Sequence, residues 1–190
     1  MRRLRNISRS DLQHLRRLYF SPMRNAAGFV VLCVMTASIA TAQTDSFAPL
    51  GFLLGEWRAI DTPAGETGAF AFTPAVQDRV IVRTNEANYA ATAGRPASRH
   101  DDLLVIYSEN GSLKADYFDN EGHVIRYVVE PLGDKAVALV SAPNPQEPRY
   151  RLIYRSGPAG ILAGTFEIAP PGSPDAFKLY LSWKASRSQP

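Results

Sequence analysis

His100-Asp101-Asp102 sets an imidazole beside two carboxylates. Such a triplet could supply a general base, or two or three ligands for a divalent cation. Neighbouring strand residues point to opposite faces, so a shared site would need His123 or Asp119 to converge on it. The reading preferred from the chain alone is plainer: a loop-to-strand entry, with His100 near a rim and Asp102 solvated. Asp119 and His123 flank a short turn, where a carboxylate–imidazole hydrogen bond could orient a ligand or tighten a hairpin. The hairpin role is preferred. Asp116, Asp119 and Glu121 lack the spacing of an EF-hand and read as turn chemistry plus one surface ion pair. Arg79 and Arg83 alternate with Val80 and Val82, which favours an outward Arg83; turned inward, it could hold a ligand carboxylate.

Familiar catalytic signatures are missing. The chain has no Gly-x-Ser-x-Gly elbow, no His-Glu-x-x-His and no glycine-rich phosphate loop before a helix. Its single cysteine, Cys33, lies in an apolar N-terminal stretch. Beyond that stretch, disulfides, thiol catalysis and cysteine-based metal sites are ruled out. We assign no catalytic residue, no metal and no cofactor, and the balance is against an enzyme. A minor hydrolytic or metal-dependent activity on His100, Asp101, Asp119 and His123 stays as an alternative.

These residues lie in a segment dense in strand signals. Short alternating runs recur every 10–15 residues between Gly, Pro, Asn and Asp clusters. We read strands near 55–61, 67–73, 78–84, 102–108, 112–118, 123–130, 135–142, 149–155, 160–168 and 176–184. A short helix or turn precedes them near 46–54, and residues 87–100 form the longest loop. Ten sequential antiparallel strands suit an all-β, up-and-down barrel, which closes on itself and leaves no exposed sheet edge. A two-sheet sandwich is the alternative.

Two turns fix a register. Glu109-Asn110-Gly111 and Asn120-Glu121-Gly122 both read as three-residue loops ending in a left-handed glycine. Counting inward places Leu103, Val105, Tyr107, Leu113, Ala115, Tyr117, Ile125, Tyr127 and Val129 on one face. Asp116 and Arg126 fall opposite each other on the other. A two-residue Asn110-Gly111 turn would shift one strand by a residue and set Tyr107 beside Lys114 and Asp116. The first register separates apolar from charged residues more cleanly. Further on, Tyr150, Leu152 and Tyr154 oppose Arg149, Arg151 and Arg155, and Phe177, Leu179, Leu181 and Trp183 oppose Lys178, Tyr180, Ser182 and Lys184. The inner face is therefore rich in tyrosine. A buried Tyr needs a partner for its hydroxyl, so this face hints at a partly polar cavity. The alternative is a filled core whose hydroxyls reach rim water or backbone carbonyls.

Charge is unevenly spread. Of 21 Lys+Arg and 18 Asp+Glu, residues 1–42 hold seven arginines and one acidic residue. The remaining segment has more acids than bases and no basic-aromatic stripe, so nucleic acid is not an expected partner. Residues 26–37, AAGFVVLCVMTA, form an apolar run preceded by Arg24 and followed by Ala40-Thr41-Ala42. That order is a secretory signal peptide, with cleavage expected after Ala42. The run falls short of the roughly 20 apolar residues a membrane span requires. Leu32 before Cys33 argues against a lipoprotein. Residues 1–22 are long for a leader, and Met23 is the start we suspect. The expectation is a cleaved leader over 1–42 and a periplasmic or secreted domain over 43–190.

Leu53-Leu54-Gly55-Glu56-Trp57 resembles the Gly-x-Trp opening of lipocalins and related calycin barrels. The blocks from His100 to Tyr107, Gly111 to Asp119 and Glu121 to Tyr127 look like a group of uncharacterised bacterial lipocalin-like proteins, distantly similar to nitrobindin-type barrels. The resemblance covers about residues 50–186. It implies that Trp57 closes one end of a barrel under a basic side chain, Arg187 or Lys184. It implies a barrel with a lumen; the tyrosine-rich inner face then suggests a small apolar or amphipathic ligand, met by Trp57, Arg83, Tyr107, Tyr117, His123, Tyr127, Tyr150 and Tyr154. It does not imply haem. Trp57 is followed by Arg-Ala-Ile-Asp, where nitrobindins carry Gly-x-Gly-x-Tyr-Pro, and no histidine follows His123.

Overall fold

The computed structural model describes residues 46–188. The expected leader and its cleavage point lie outside these residues. A 3-10 turn, Ala48–Leu53, leads into ten strands: β1 (Gly55–Ile60), β2 (Glu66–Ala75), β3 (Val80–Tyr89), β4 (Ser98–Glu109), β5 (Ser112–Asp119), β6 (Val124–Pro131), β7 (Ala136–Ser141), β8 (Arg149–Ser156), β9 (Leu162–Ala169) and β10 (Lys178–Arg187). Each pairs antiparallel with its sequence neighbour, and β1 pairs with β10, closing the barrel. Closure satisfies the outermost backbone groups that an open sheet would leave exposed. The sandwich alternative is excluded. No helix among the described residues is long and apolar enough to cross a membrane.

Alternation along each strand divides the wall into inner and outer faces. At the end where β1 begins, the inner residues pack into a dry floor. Leu50, Leu53, Phe72, Ile106, Leu139, Val137 and Leu162 are fully buried there or just above it. Trp57 caps this floor. Its indole N–H donates to Leu53 O at 2.7 Å, and the Arg187 guanidinium lies 4.5 Å from its ring. Arg187 also donates to Leu54 O at 2.7 Å. Of the two basic candidates for this role, Arg187 fills it; Lys184 pairs with Asp61 instead, at 3.1 Å. Gly55 has φ +113°, and a Cβ there would stand 2.5 Å from Arg187 Nη1. The glycine of Gly-x-Trp is thus needed both for its backbone and for the room it leaves.

Two register expectations need correction. The β5–β6 turn is as expected, with Gly122 at φ +91° and Asp116 opposite Arg126. The β4–β5 turn is not. Ser108 pairs with Leu113, so the loop is the two-residue Asn110-Gly111, at φ +52° and +77°. A turn with both central residues left-handed matches the twist of its flanking strands, and Asn-Gly is its preferred sequence. The slip turns Asp102, Leu104 and Ile106 inward and Leu103, Val105 and Tyr107 outward. Tyr107 therefore does not line the lumen; its hydroxyl reaches Asp116 on the outer face at 3.5 Å. Sorting by charge failed here because Asp102 does not go inside alone. Arg83, expected to face outward, is buried beside it, one position along the same face.

The second correction is in β10. A bulge between Leu179 and Leu181 breaks the simple alternation. Leu181, Trp183 and Ala185 face inward beside Phe166, Gly164 and Leu162. Phe177 lies outside, under Arg151, whose guanidinium is 4.1 Å from its ring.

Candidate ligand site at the barrel mouth

The interior changes character halfway up. Above the floor, aromatic rings fill the centre. Tyr154 stands edge-on to Phe72 at 5.4 Å and to Trp183 at 5.9 Å. Trp183 lies against Gly164 so closely that a Cβ would fall 2.2 Å from the indole. Beside these rings sits a buried ion pair. Arg83 from β3 donates to both the Asp102 carboxylate of β4 and the Tyr154 hydroxyl of β8. Only 6% of the Arg83 side chain and 3% of the Asp102 side chain are exposed, so this pair is dry. Asn85 Nδ2 donates to the second Asp102 oxygen at 2.8 Å. Arg83 Nε is buried with no protein partner.

From Asp102 a polar chain climbs to the mouth. His100 Nε2 lies 3.4 Å from Asp102 Oδ2 and 3.2 Å from Tyr117 Oη. The Tyr117 hydroxyl donates to Asp119 Oδ2 at 3.2 Å. His123 Nδ1 reaches the same oxygen at 2.8 Å. Asp119 Oδ1 accepts the backbone N–H groups of Glu121 at 3.0 Å and His123 at 2.9 Å, which fixes the turn. Across it, Glu121 Oε1 faces His100 Nδ1 at 3.3 Å. Facing this polar side is an aromatic wall. Tyr150 stacks on Phe166 at 5.9 Å with nearly parallel rings, and Tyr180 stands edge-on to Phe166 at 6.1 Å. Tyr117, Ile125, Tyr150 and Phe166 face inward but are only partly buried.

Electrostatics follow the same gradient. Burial works against the charge on Arg83, but Tyr154 and the Asp102 carboxylate outweigh it and hold the guanidinium above its ordinary pKa. Burial pushes the Tyr154 and Tyr127 hydroxyls up, with nearby Arg83 pulling the other way. Tyr117 is also raised, by burial and then by the Asp102 and Asp119 charges. Asp119 is lowered. Burial opposes its ionisation, but hydrogen bonds from the His123 backbone, the His123 ring and the Glu121 backbone prevail.

The eight residues read as a lumen lining are therefore dispersed. Arg83, Tyr127 and Tyr154 lie deep inside, Tyr117 and Tyr150 line the mouth, and Trp57 belongs to the floor. Tyr107 faces out. His123 is an exposed rim residue whose expected hairpin bond to Asp119 is present. Of the alternative cluster, His100 and Asp119 converge, but Asp101 turns outward to Arg99 at 2.8 Å. Sequence reasoning passed over Asp102 as an interior group and Glu121 as a rim group. Asn110-Gly111 was the signal that would have found Asp102. Among the described residues, His100, Asp119 and Glu121 offer donor atoms within 4.8 Å of one another. A groove of about 640 Å³ runs along β1–β5, lined mostly by outer-face residues such as Arg58, Glu86, Arg99, Leu103 and Phe118, with Asn85, Asp102 and Asp119 also in its lining.

No protein-family model matches the chain, and no curated protein matches it. What it shares with a known class is architecture: a closed, ten-stranded antiparallel barrel of lipocalin-like, calycin type, with a hydrophobic and aromatic interior suited to a small molecule.

Proposed function

We propose that this protein is an exported barrel that binds a small amphipathic ligand at its mouth. One observation carries the reading: the inner wall is sealed below Tyr154 but leaves Tyr117, Ile125, Tyr150 and Phe166 partly open above it. A filled structural module would close both ends alike. The stacked Tyr150–Phe166 pair offers a flat apolar surface, and the His100–Tyr117 side offers hydrogen bonds. Small-molecule sites commonly combine a broad apolar lining with a few convergent polar groups. Arg83 stands at the bottom as a neutralised anchor with one N–H still to give.

Export rests on the order Arg24, apolar run, Ala40-Thr41-Ala42. The resemblance to bacterial lipocalin-like proteins supports the same assignment. N-terminal sequencing of the protein recovered from a bacterial periplasm is expected to begin at Gln43.

The ligand reading is tested by uptake of an apolar fluorescent dye together with native mass spectrometry of the freshly purified protein. Dye binding that weakens at least tenfold in a Tyr150→Ala, Phe166→Ala variant, and is unchanged by Tyr107→Ala, supports it. Unliganded mass with no dye uptake favours the filled module instead.

A further inference from the structure

We propose that His100, Asp119 and Glu121 form a divalent transition-metal site on the rim of the barrel, with Asp102 and Arg83 as its buried support. The site is independent of whether the lumen takes an organic ligand.

The neighbours of His100 fix which of its ring nitrogens carries the proton. Nε2 faces the Asp102 carboxylate and the Tyr117 oxygen. Asp102 is ion-paired with Arg83 and so is an acceptor only. Tyr117 gives its proton to Asp119, so its oxygen is an acceptor toward His100. Nε2 must therefore be the N–H. In the neutral ring Nδ1 is then a bare lone pair, and it looks at a Glu121 oxygen 3.3 Å away. Two acceptors facing each other at this distance require something positive between them. Asp119 brings a further anionic oxygen to the same place, with all three donors within 4.8 Å. A proton on Nδ1 serves the His100–Glu121 contact alone, whereas a divalent cation also draws in Asp119, in exchange for one of the four hydrogen bonds its carboxylate accepts.

The surroundings have the form such a site needs. Metal-bound histidines usually donate their other ring N–H to a carboxylate, which fixes the tautomer and raises the ligand's basicity. Asp102 is that carboxylate, and Arg83 holds it in place. His123 and two backbone N–H groups brace Asp119. Two donors on a tetrahedral ion at about 2.1 Å stand about 3.4 Å apart, so the widest pair of the set must close by up to about 1.4 Å. Glu121 can supply this movement, since 60% of its side chain is exposed on a turn. One imidazole with two carboxylates suits zinc, manganese, iron, cobalt or nickel. Calcium takes six to eight oxygens and is the poorer fit.

The test is titration of the chelator-treated, purified protein with zinc chloride alone, followed by calorimetry. The expected result is one zinc per chain with a Kd below about 10 μM. His100→Ala and Glu121→Gln are each expected to weaken binding at least tenfold. Asp101→Asn, on a side chain turned away toward Arg99, leaves it unchanged. Calcium chloride produces no comparable saturation. Glu121 lies on an exposed turn, so its variant keeps the fold, which circular dichroism checks. Absence of saturable zinc binding overturns the proposal. So does zinc binding that Glu121→Gln and His100→Ala leave intact, which would place the ion elsewhere.

Discussion

The floor and the mouth of this barrel are built from the same ten strands, yet they solve opposite problems. At the floor, inward positions are aliphatic or aromatic and lose all contact with water. At the mouth, tyrosine, histidine and carboxylate mix with Ile125 and Phe166, and many of these keep part of their surface. Fully burying a large apolar side chain stabilises by about 1.5–3 kcal/mol. The mouth forgoes much of that. Stability is thus concentrated at one end, leaving the other free to carry chemistry. The Arg83–Asp102 pair marks the boundary, where charges are buried and paired while Arg83 Nε stays without a protein partner.

Breaking that boundary is expected to have the largest effect. Arg83→Met leaves the Asp102 carboxylate buried without its cation. Removing one partner of a buried pair costs about 3–5 kcal/mol. The double variant Arg83→Met, Asp102→Leu removes both charges and is expected to recover much of this loss. Urea unfolding of the three proteins measures it. A single-variant loss under about 1 kcal/mol would mean that water reaches the boundary, and the two halves would no longer be distinct.

Next comes the packing just inside the boundary. Gly164→Ala sets a methyl group into the Trp183 indole. Overpacking of this kind costs about 1–3 kcal/mol. The Trp183 ring must shift, so thermal unfolding should move down together with a change in tryptophan fluorescence. A stability equal to the parent would show that Trp183 is as loosely held as the rim.

Alkaline pH separates the halves differently. Tyr127 is held above its ordinary value by burial, so the folded state favours its neutral hydroxyl. An unfolded tyrosine ionises near pH 10. Below that pH the folded and unfolded chains bind the same proton and stability is whole. Above it the unfolded chain releases the proton first, and stability falls by about 1.4 kcal/mol per pH unit for this one group. Tyr127→Phe is expected to flatten the decline in urea stability between pH 10 and 11. An unchanged slope would show that the Tyr127 hydroxyl is hydrated in the native barrel.

Most of the fold could be read from residues alone, because turn chemistry and alternation act locally. All ten strands are present, but β3 runs on to Tyr89 and β4 begins at Ser98, so the expected loop 87–100 shrinks to residues 90–97; Gly55, Trp57 and Arg187 met as the resemblance implied. The interior was harder. Asp102 looked solvated because a lone aspartate on a strand belongs outside; its partner Arg83 is 19 residues away and shows up only once β3 and β4 are paired. A charge pattern cannot reveal a buried pair whose two members each look misplaced. The site at the rim depended on the same register. With Tyr107 turned inward, His100 would have faced solvent, and its convergence with Glu121 would have been invisible.

The smallest effect belongs to the cap over the floor. Arg187 lies on the Trp57 ring and donates to Leu54 O, but its side chain is largely exposed. A cation over an aromatic ring at an exposed site is worth about 0.5–1 kcal/mol. Arg187→Ala is therefore expected to lower stability by about that much and to leave dye and zinc binding at the mouth unchanged. Arg187→Lys keeps a charge but loses the planar stack and the directed N–H, so it should recover less than half of the loss. The value of this variant lies in its position. Trp57 seals the end opposite to Tyr150 and Glu121, and water admitted beside it would have to pass Phe70, Phe72 and Tyr154 to be felt there. A loss of binding at the mouth in Arg187→Ala, with stability nearly intact, would show that the floor is not an inert plug and that the two ends of the barrel are coupled through its aromatic centre.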